Sequence, residues 1–105
     1  MAVAYIQEFP IVDGDLSTTN YDRISEALNL TSAPDGLIVH TAGFDQTDGT
    51  FRIFDVWQTR EQGDRFVNEQ LGPILERFMA EAPEGSFAPP ALDTWYDLHD
   101  TMSGG

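Results

Sequence analysis

Cysteine and lysine are both absent from this 105-residue chain, and long apolar runs are missing as well. Without cysteine there is no disulfide framework, thiolate zinc site, iron–sulfur cluster or cysteine nucleophile. Without lysine, the basic side chains are five arginines (Arg23, Arg52, Arg60, Arg65 and Arg77) against 18 acidic residues, a formal charge of −13. Such a surface repels phosphate backbones and anionic lipid headgroups, so neither nucleic acid nor membrane is expected as a partner. No apolar stretch reaches membrane-spanning length, and the opening "MAVAYIQEFP" lacks a basic segment followed by a signal-type run, so a cytoplasmic protein is expected. Glycine-rich phosphate loops are also missing, which disfavours a nucleotide or flavin site of the usual kind.

What is present suits one globular domain over residues 1–105, since 41% of the residues are hydrophobic and 11% aromatic. A domain of this size buries only roughly 65% of its unfolded surface, so a subunit interface is a natural further source of stability. The pattern along the chain reads as strand, helix, strand, strand, helix, strand. "AVAYIQEF" is the first strand, closed by Pro10, and Tyr21, Ile24, Ala27 and Leu28 recur at helical spacing after Thr18, Thr19 or Asn20 as N-cap. Residues 36–58 form a hairpin. Thr59 and Gln62 resemble a capping box, and Phe66, Val67, Gln70, Leu71, Ile74, Leu75 and Phe78 line one face of a long helix to about Ala80. Gly72-Pro73 predicts a kink or brief break within it. Residues 81–91 read as loop and "LDTWYDLHD" as the last strand. The fold class is α+β: a ferredoxin-like βαββαβ chain with a four-stranded antiparallel sheet.

Two helices cover one face of such a sheet, yet the strands carry large apolar residues on both. A second copy packed face to face would cover the other and enclose a chamber between subunits, giving a homodimer.

The hairpin holds the two titratable groups of interest, His40 and Asp55. A two-residue Asp48-Gly49 turn pairs Thr47 with Thr50 and sets His40 opposite Trp57; a four-residue loop starting from Asp45 opposite Thr50 sets His40 opposite Asp55. Both put His40 and Asp55 on one sheet face, whereas a three-residue loop with a bulge at Gly49 separates them. Val39, Phe54 and Val56 then share the other face, apolar enough to receive the helices. His40, Asp55, Trp57, Ile53, Phe51, Ile38 and Ala42 are accordingly expected on the chamber side. Trp95 and His99 on the last strand are further candidates. A histidine beside a carboxylate in apolar surroundings is held in one tautomer with raised proton affinity, which suits acid–base chemistry. The same pair also suits simple mutual hydrogen bonding in a dimer core. His40, His99 and Asp55 or Asp97 have the ligand types of a two-histidine, one-carboxylate iron site, but no local spacing motif supports a metal, and none is expected.

The runs "APDGLIVHTAG", "FRIFDVWQTREQGDRFVNEQLGPIL" and "WYDLH" resemble the small dimeric α/β-barrel proteins related to antibiotic biosynthesis monooxygenases, most closely from Phe51 to Leu75 with Asp55, Trp57 and Phe66. The resemblance implies two sheets forming a dimeric α/β barrel and a cofactor-independent monooxygenase. In that reading His40 and Asp55 are catalytic, and Trp57, Phe51, Ile53, Ile38, Trp95 and His99 bind a small hydrophobic or aromatic molecule. A polyketide cyclase or isomerase using the same pair, or a non-catalytic small-molecule binder, are the alternatives.

Overall fold

Alternating side chains carry Val3–Pro10 into the first strand, β1, of a computed structural model that describes residues 2–11, 14, 16, 18–81 and 90–102. Helix α1 (Thr19–Leu28) follows, then β2 (Leu37–Asp45), β3 (Thr50–Trp57), α2 (Arg60–Phe66), a π-helical turn (Val67–Leu71), α3 (Gly72–Glu81) and β4 (Leu92–Asp97). The strands form one antiparallel sheet in the order β2-β3-β1-β4, the ferredoxin-like arrangement expected from the sequence. The expected loop over 81–91 and the tail "TMSGG" fall largely outside the described residues.

Local chemistry accounts for the element ends. The Thr59 hydroxyl accepts from the Gln62 backbone N–H at 3.2 Å, starting α2 as the capping box predicts. Thr18 is the N-cap of α1, although its hydroxyl donates to the Asp22 carboxylate (2.8 Å) rather than accepting from a backbone amide. Asn29 ends α1 in the left-handed conformation at φ 48°.

Two features differ from the sequence reading. Instead of a kink at Gly72-Pro73, the helix widens just before it, and the Gly72 N–H bonds to the Val67 carbonyl five residues back. A Cβ at Gly72 would press on that carbonyl at 3.0 Å, so the glycine leaves room for the wide turn. The last strand stops at Asp97, with only the Leu98 N–H to Ala2 carbonyl bond (3.0 Å) continuing the pairing, and His99 lies beyond it.

The hairpin adopts the four-residue loop. Asp45 pairs with Thr50 and His40 with Asp55, while the Asp45 carboxylate accepts from the Asp48 N–H (3.1 Å) and Gly49 takes φ +69°. One irregularity lies between Leu37 and Val39, where Ile38 is the extra residue of a bulge.

The helices cover the sheet face opposite to the one expected. Phe66 of α2 packs on Trp57, Gly63 abuts both Trp57 and Trp95, and Tyr21 of α1 reaches His40 and Phe51. By the pairing register, Val3, Tyr5, Leu37, His40, Asp55, Trp57 and Trp95 share this helix-covered face. Val39, Phe54, Val56 and Tyr96 lie on the other. Bulk decides the matter: the helix side holds both tryptophans, which the close approach of Gly63 accommodates. On the open face, Val39 and Tyr96 are 41% and 44% exposed. Arg52 there joins three elements through Glu8 (2.9 Å), Asp45 (3.2 Å) and Asp48 (3.6 Å).

Candidate active site

The register of β2 against β3 brings His40 and Asp55 side by side, and α1 adds a third group from above. His40 Nδ1 lies 2.5 Å from Asp55 Oδ1, and His40 Nε2 lies 2.6 Å from the Tyr21 hydroxyl. An ionised carboxylate only accepts, so the Nδ1–H donates to Asp55, and Nε2 carries the lone pair that accepts the Tyr21 O–H. The Asp55 hydrogen bond raises the proton affinity of His40 above the ordinary imidazole value, with partial burial working against it. The Tyr21 phenol is also raised, chiefly by burial and then by the charges of Asp55 and Asp22, so it stays protonated. The His40 side chain remains 40% exposed while Asp55 is 15% exposed: the acid is sheltered and the imidazole is reachable.

Aromatic packing fixes this triad. The Tyr21 and His40 rings are nearly parallel, at 2° with centroids 6.2 Å apart, and Tyr21 meets Phe51 edge-on at 5.7 Å. Phe51 in turn tilts against Phe44 at 4.9 Å. Phe51 and Ile53, both half-buried, pave the helix-side surface next to Asp55, and Ala42 on the neighbouring strand is exposed.

Across Asp55 on β1 stands Tyr5, which stacks on Trp95 at 4.2 Å and 8°. Burial and a hydrogen bond with Asp93 push the Tyr5 phenol far above its usual range, so it is a fixed neutral donor. Arg60 covers the Trp95 ring at 5.3 Å and lies 3.6 Å from the Asp64 carboxylate.

The structure therefore gathers His40, Asp55, Phe51, Ile53 and Trp95 on one surface, but between the sheet and the helices of a single chain rather than in a chamber between two sheets. Three other expectations are corrected. Trp57, 2% exposed beneath Phe66, is a core residue, and its Nε1–H has no partner among the described residues. Ile38, the bulged residue, falls out of the alternation that would have put it beside His40, and is 49% exposed. His99, exposed past the end of β4, sits at the opposite margin of the sheet from His40, so the iron-type ligand set is not brought together. Among the described residues no group of three His, Asp or Glu side chains is placed to hold a metal, and no helix is long and apolar enough to cross a bilayer.

Tyr21 was legible only as a core-facing position of α1. Helical spacing places it toward the sheet, but nothing in the sequence specifies which strand residue its hydroxyl meets.

The Rv0793 protein of Mycobacterium tuberculosis superposes with a TM-score of 0.67 at 20% identity, over 98% of this chain and 100% of that one. A candidate antibiotic biosynthesis monooxygenase from Chloroflexus aurantiacus gives 0.65 at 14% identity over 100% of both. The chain shares the ferredoxin-like fold of these proteins. SnoaB of Streptomyces nogalater, a cofactor-independent oxygenase, shares this fold at a TM-score of 0.62 and 11% identity over 98% of both chains. No protein-family model matches the chain, and no curated protein matches it significantly in sequence.

Proposed function

We propose that this chain is a small-molecule enzyme of the dimeric α/β-barrel type, a cofactor-independent monooxygenase that uses His40 and Asp55 to take a proton from an aromatic or polyketide-like substrate. The observation that carries this reading is a reachable imidazole locked by a sheltered carboxylate, beside the rings of Phe51 and Tyr21. A tricyclic ketone such as anthrone illustrates the chemistry. Loss of a benzylic proton leaves an electron-rich anion, and this anion reduces dioxygen directly. In sum, anthrone and dioxygen give anthraquinone and water; one oxygen atom enters the new carbonyl, the other leaves as water, and the substrate supplies all the electrons. The protein's task is to accept and return protons and to hold the anion where bulk water is scarce. The cofactor-independent oxygenase among the structural neighbours supports this choice over the binder reading.

The homodimer belongs to the same proposal, now resting on the open sheet face, where Val39, Leu92 and Tyr96 are each at least 40% exposed. The test is dioxygen uptake with anthrone for the wild type, His40→Gln and Asp55→Asn. Removing the base should lower kcat by about 10² or more, in line with general-base contributions, with KM little changed. Full activity in His40→Gln, or no uptake by the wild type, refutes the proposal.

A further inference from the structure

Both ring nitrogens of His40 are already engaged: Nδ1 holds Asp55 and Nε2 holds the Tyr21 hydroxyl. A base with no free lone pair cannot take a proton from a substrate directly. Either its partner leaves, or its partner is the group that faces the substrate. The contacts of Tyr21 favour the second. Its ring is held parallel to the imidazole and edge-on to Phe51, and its helix is tied at the start of the same turn by the Thr18 hydroxyl on Asp22.

We infer that Tyr21 is the catalytic residue that touches the substrate, passing the substrate's proton to His40 rather than leaving His40 to collect it; this rests on the function proposed above. In one step the substrate C–H or O–H bond breaks, its proton bonds to the Tyr21 oxygen, and the phenol's own proton bonds to Nε2. The result is a neutral Tyr21, an imidazolium paired with Asp55, and a substrate anion. Tyr21 is never a free phenolate. The hydrogen bond then reverses, with Nε2–H donating to the Tyr21 oxygen, so the phenol O–H is free to stabilise the substrate anion.

The groups around this hydroxyl also select the substrate. His40 faces it from β2 and Asp55 stands behind from β3; Asp22 lies on its own helix, with Tyr5 and Asp93 further along the sheet. Two carboxylates, Asp55 and Asp22, act on this hydroxyl while the Arg23 guanidinium lies over the Phe78 ring, which favours a neutral hydroxylated or enolisable ring over a carboxylated one.

Two neutral probes differing in one hydroxyl test the contact: 1-naphthol and 1-methylnaphthalene, titrated against wild type, Tyr21→Phe and His40→Gln. In Tyr21→Phe the affinity for 1-naphthol should fall about five- to tenfold, the weight of one hydrogen bond, while that for 1-methylnaphthalene stays within about twofold. With anthrone, Tyr21→Phe should lose at least about tenfold in kcat at similar KM. Site-specific 3-fluorotyrosine at position 21 keeps the shape but acidifies the phenol, and should shift the pH–rate profile, which a merely structural tyrosine would not do. Unchanged 1-naphthol affinity or unchanged anthrone turnover in Tyr21→Phe overturns the inference. If the wild type fails to oxidise anthrone but Tyr21→Phe still loses affinity for 1-naphthol and not for 1-methylnaphthalene, the contact stands and the oxygenase reading falls. If 1-naphthol does not bind to the wild type although anthrone is oxidised, the inference falls and the oxygenase reading stands.

Discussion

At the scale of single residues, His40 ties stability and chemistry to the same proton with opposite signs. Its folded proton affinity is raised above the ordinary imidazole value of 6.5, chiefly by Asp55. The charged pair therefore contributes stability that is fully present below that value and is lost as pH rises through the higher folded value. In the proposed reaction proton acceptance requires the neutral ring, so turnover should rise across the window in which this contribution disappears. Urea unfolding of wild type and His40→Gln between about pH 5 and 9 should show a stability difference that shrinks as pH increases. The amplitude will be small, because a side chain 40% exposed is screened by solvent. A gap that grows with pH would mean that Asp55 does not stabilise the imidazolium.

At the scale of elements, close contacts explain why particular small residues sit where they do. A Cβ on Gly63 would collide with the Trp95 ring and crowd Trp57, in the middle of a helix where alanine is otherwise preferred. Gly63→Ala should destabilise the fold by about 1–3 kcal/mol, as overpacking does, measured by chemical denaturation; a gain in stability would mean α2 is free to lift. The same elements show what the sequence disclosed. Order and type of all the main elements followed from periodicity, and the capping box placed the start of α2 at Thr59. The pairing of His40 with Asp55 was one of the registers allowed by the Asp45–Thr50 segment. The covered face was not legible, because Val39, Phe54 and Val56 are as apolar as the alternate set, and alternation separates two faces without saying which meets the helices. The face of Ile38 was misjudged and the partner of Tyr21 was missed for related reasons. A bulge costs one residue of phase that no local motif announced, and a helix position facing the sheet reveals its side but not its partner.

At the scale of the whole molecule, one sheet separates two tasks. Along β3, Asp55 and Trp57 serve the helix side, while Phe54 and Val56 serve the open face. For the proposed homodimer, the wild type should sediment as a dimer and the variant with Val39 and Tyr96 replaced by aspartate as a monomer, with the His40–Asp55 geometry intact, since both residues point away from it. A dimer that persists would place the interface elsewhere. The high negative charge predicts that the proposed dimer strengthens with salt as repulsion is screened.

Both irregularities, Ile38 in β2 and the wide turn over Val67–Leu71, amount to one surplus residue absorbed in place. With regular winding, Phe66 and Phe78 would be about 120° apart around the axis; with one residue taken up, about 20°. Shortening the chain by Ile38, or by the exposed Gln70, should thus leave every downstream side chain aimed as before, and circular dichroism of the Gln70 deletion should show an uninterrupted α-helix. The protein can lose a link at either place without turning itself inside out.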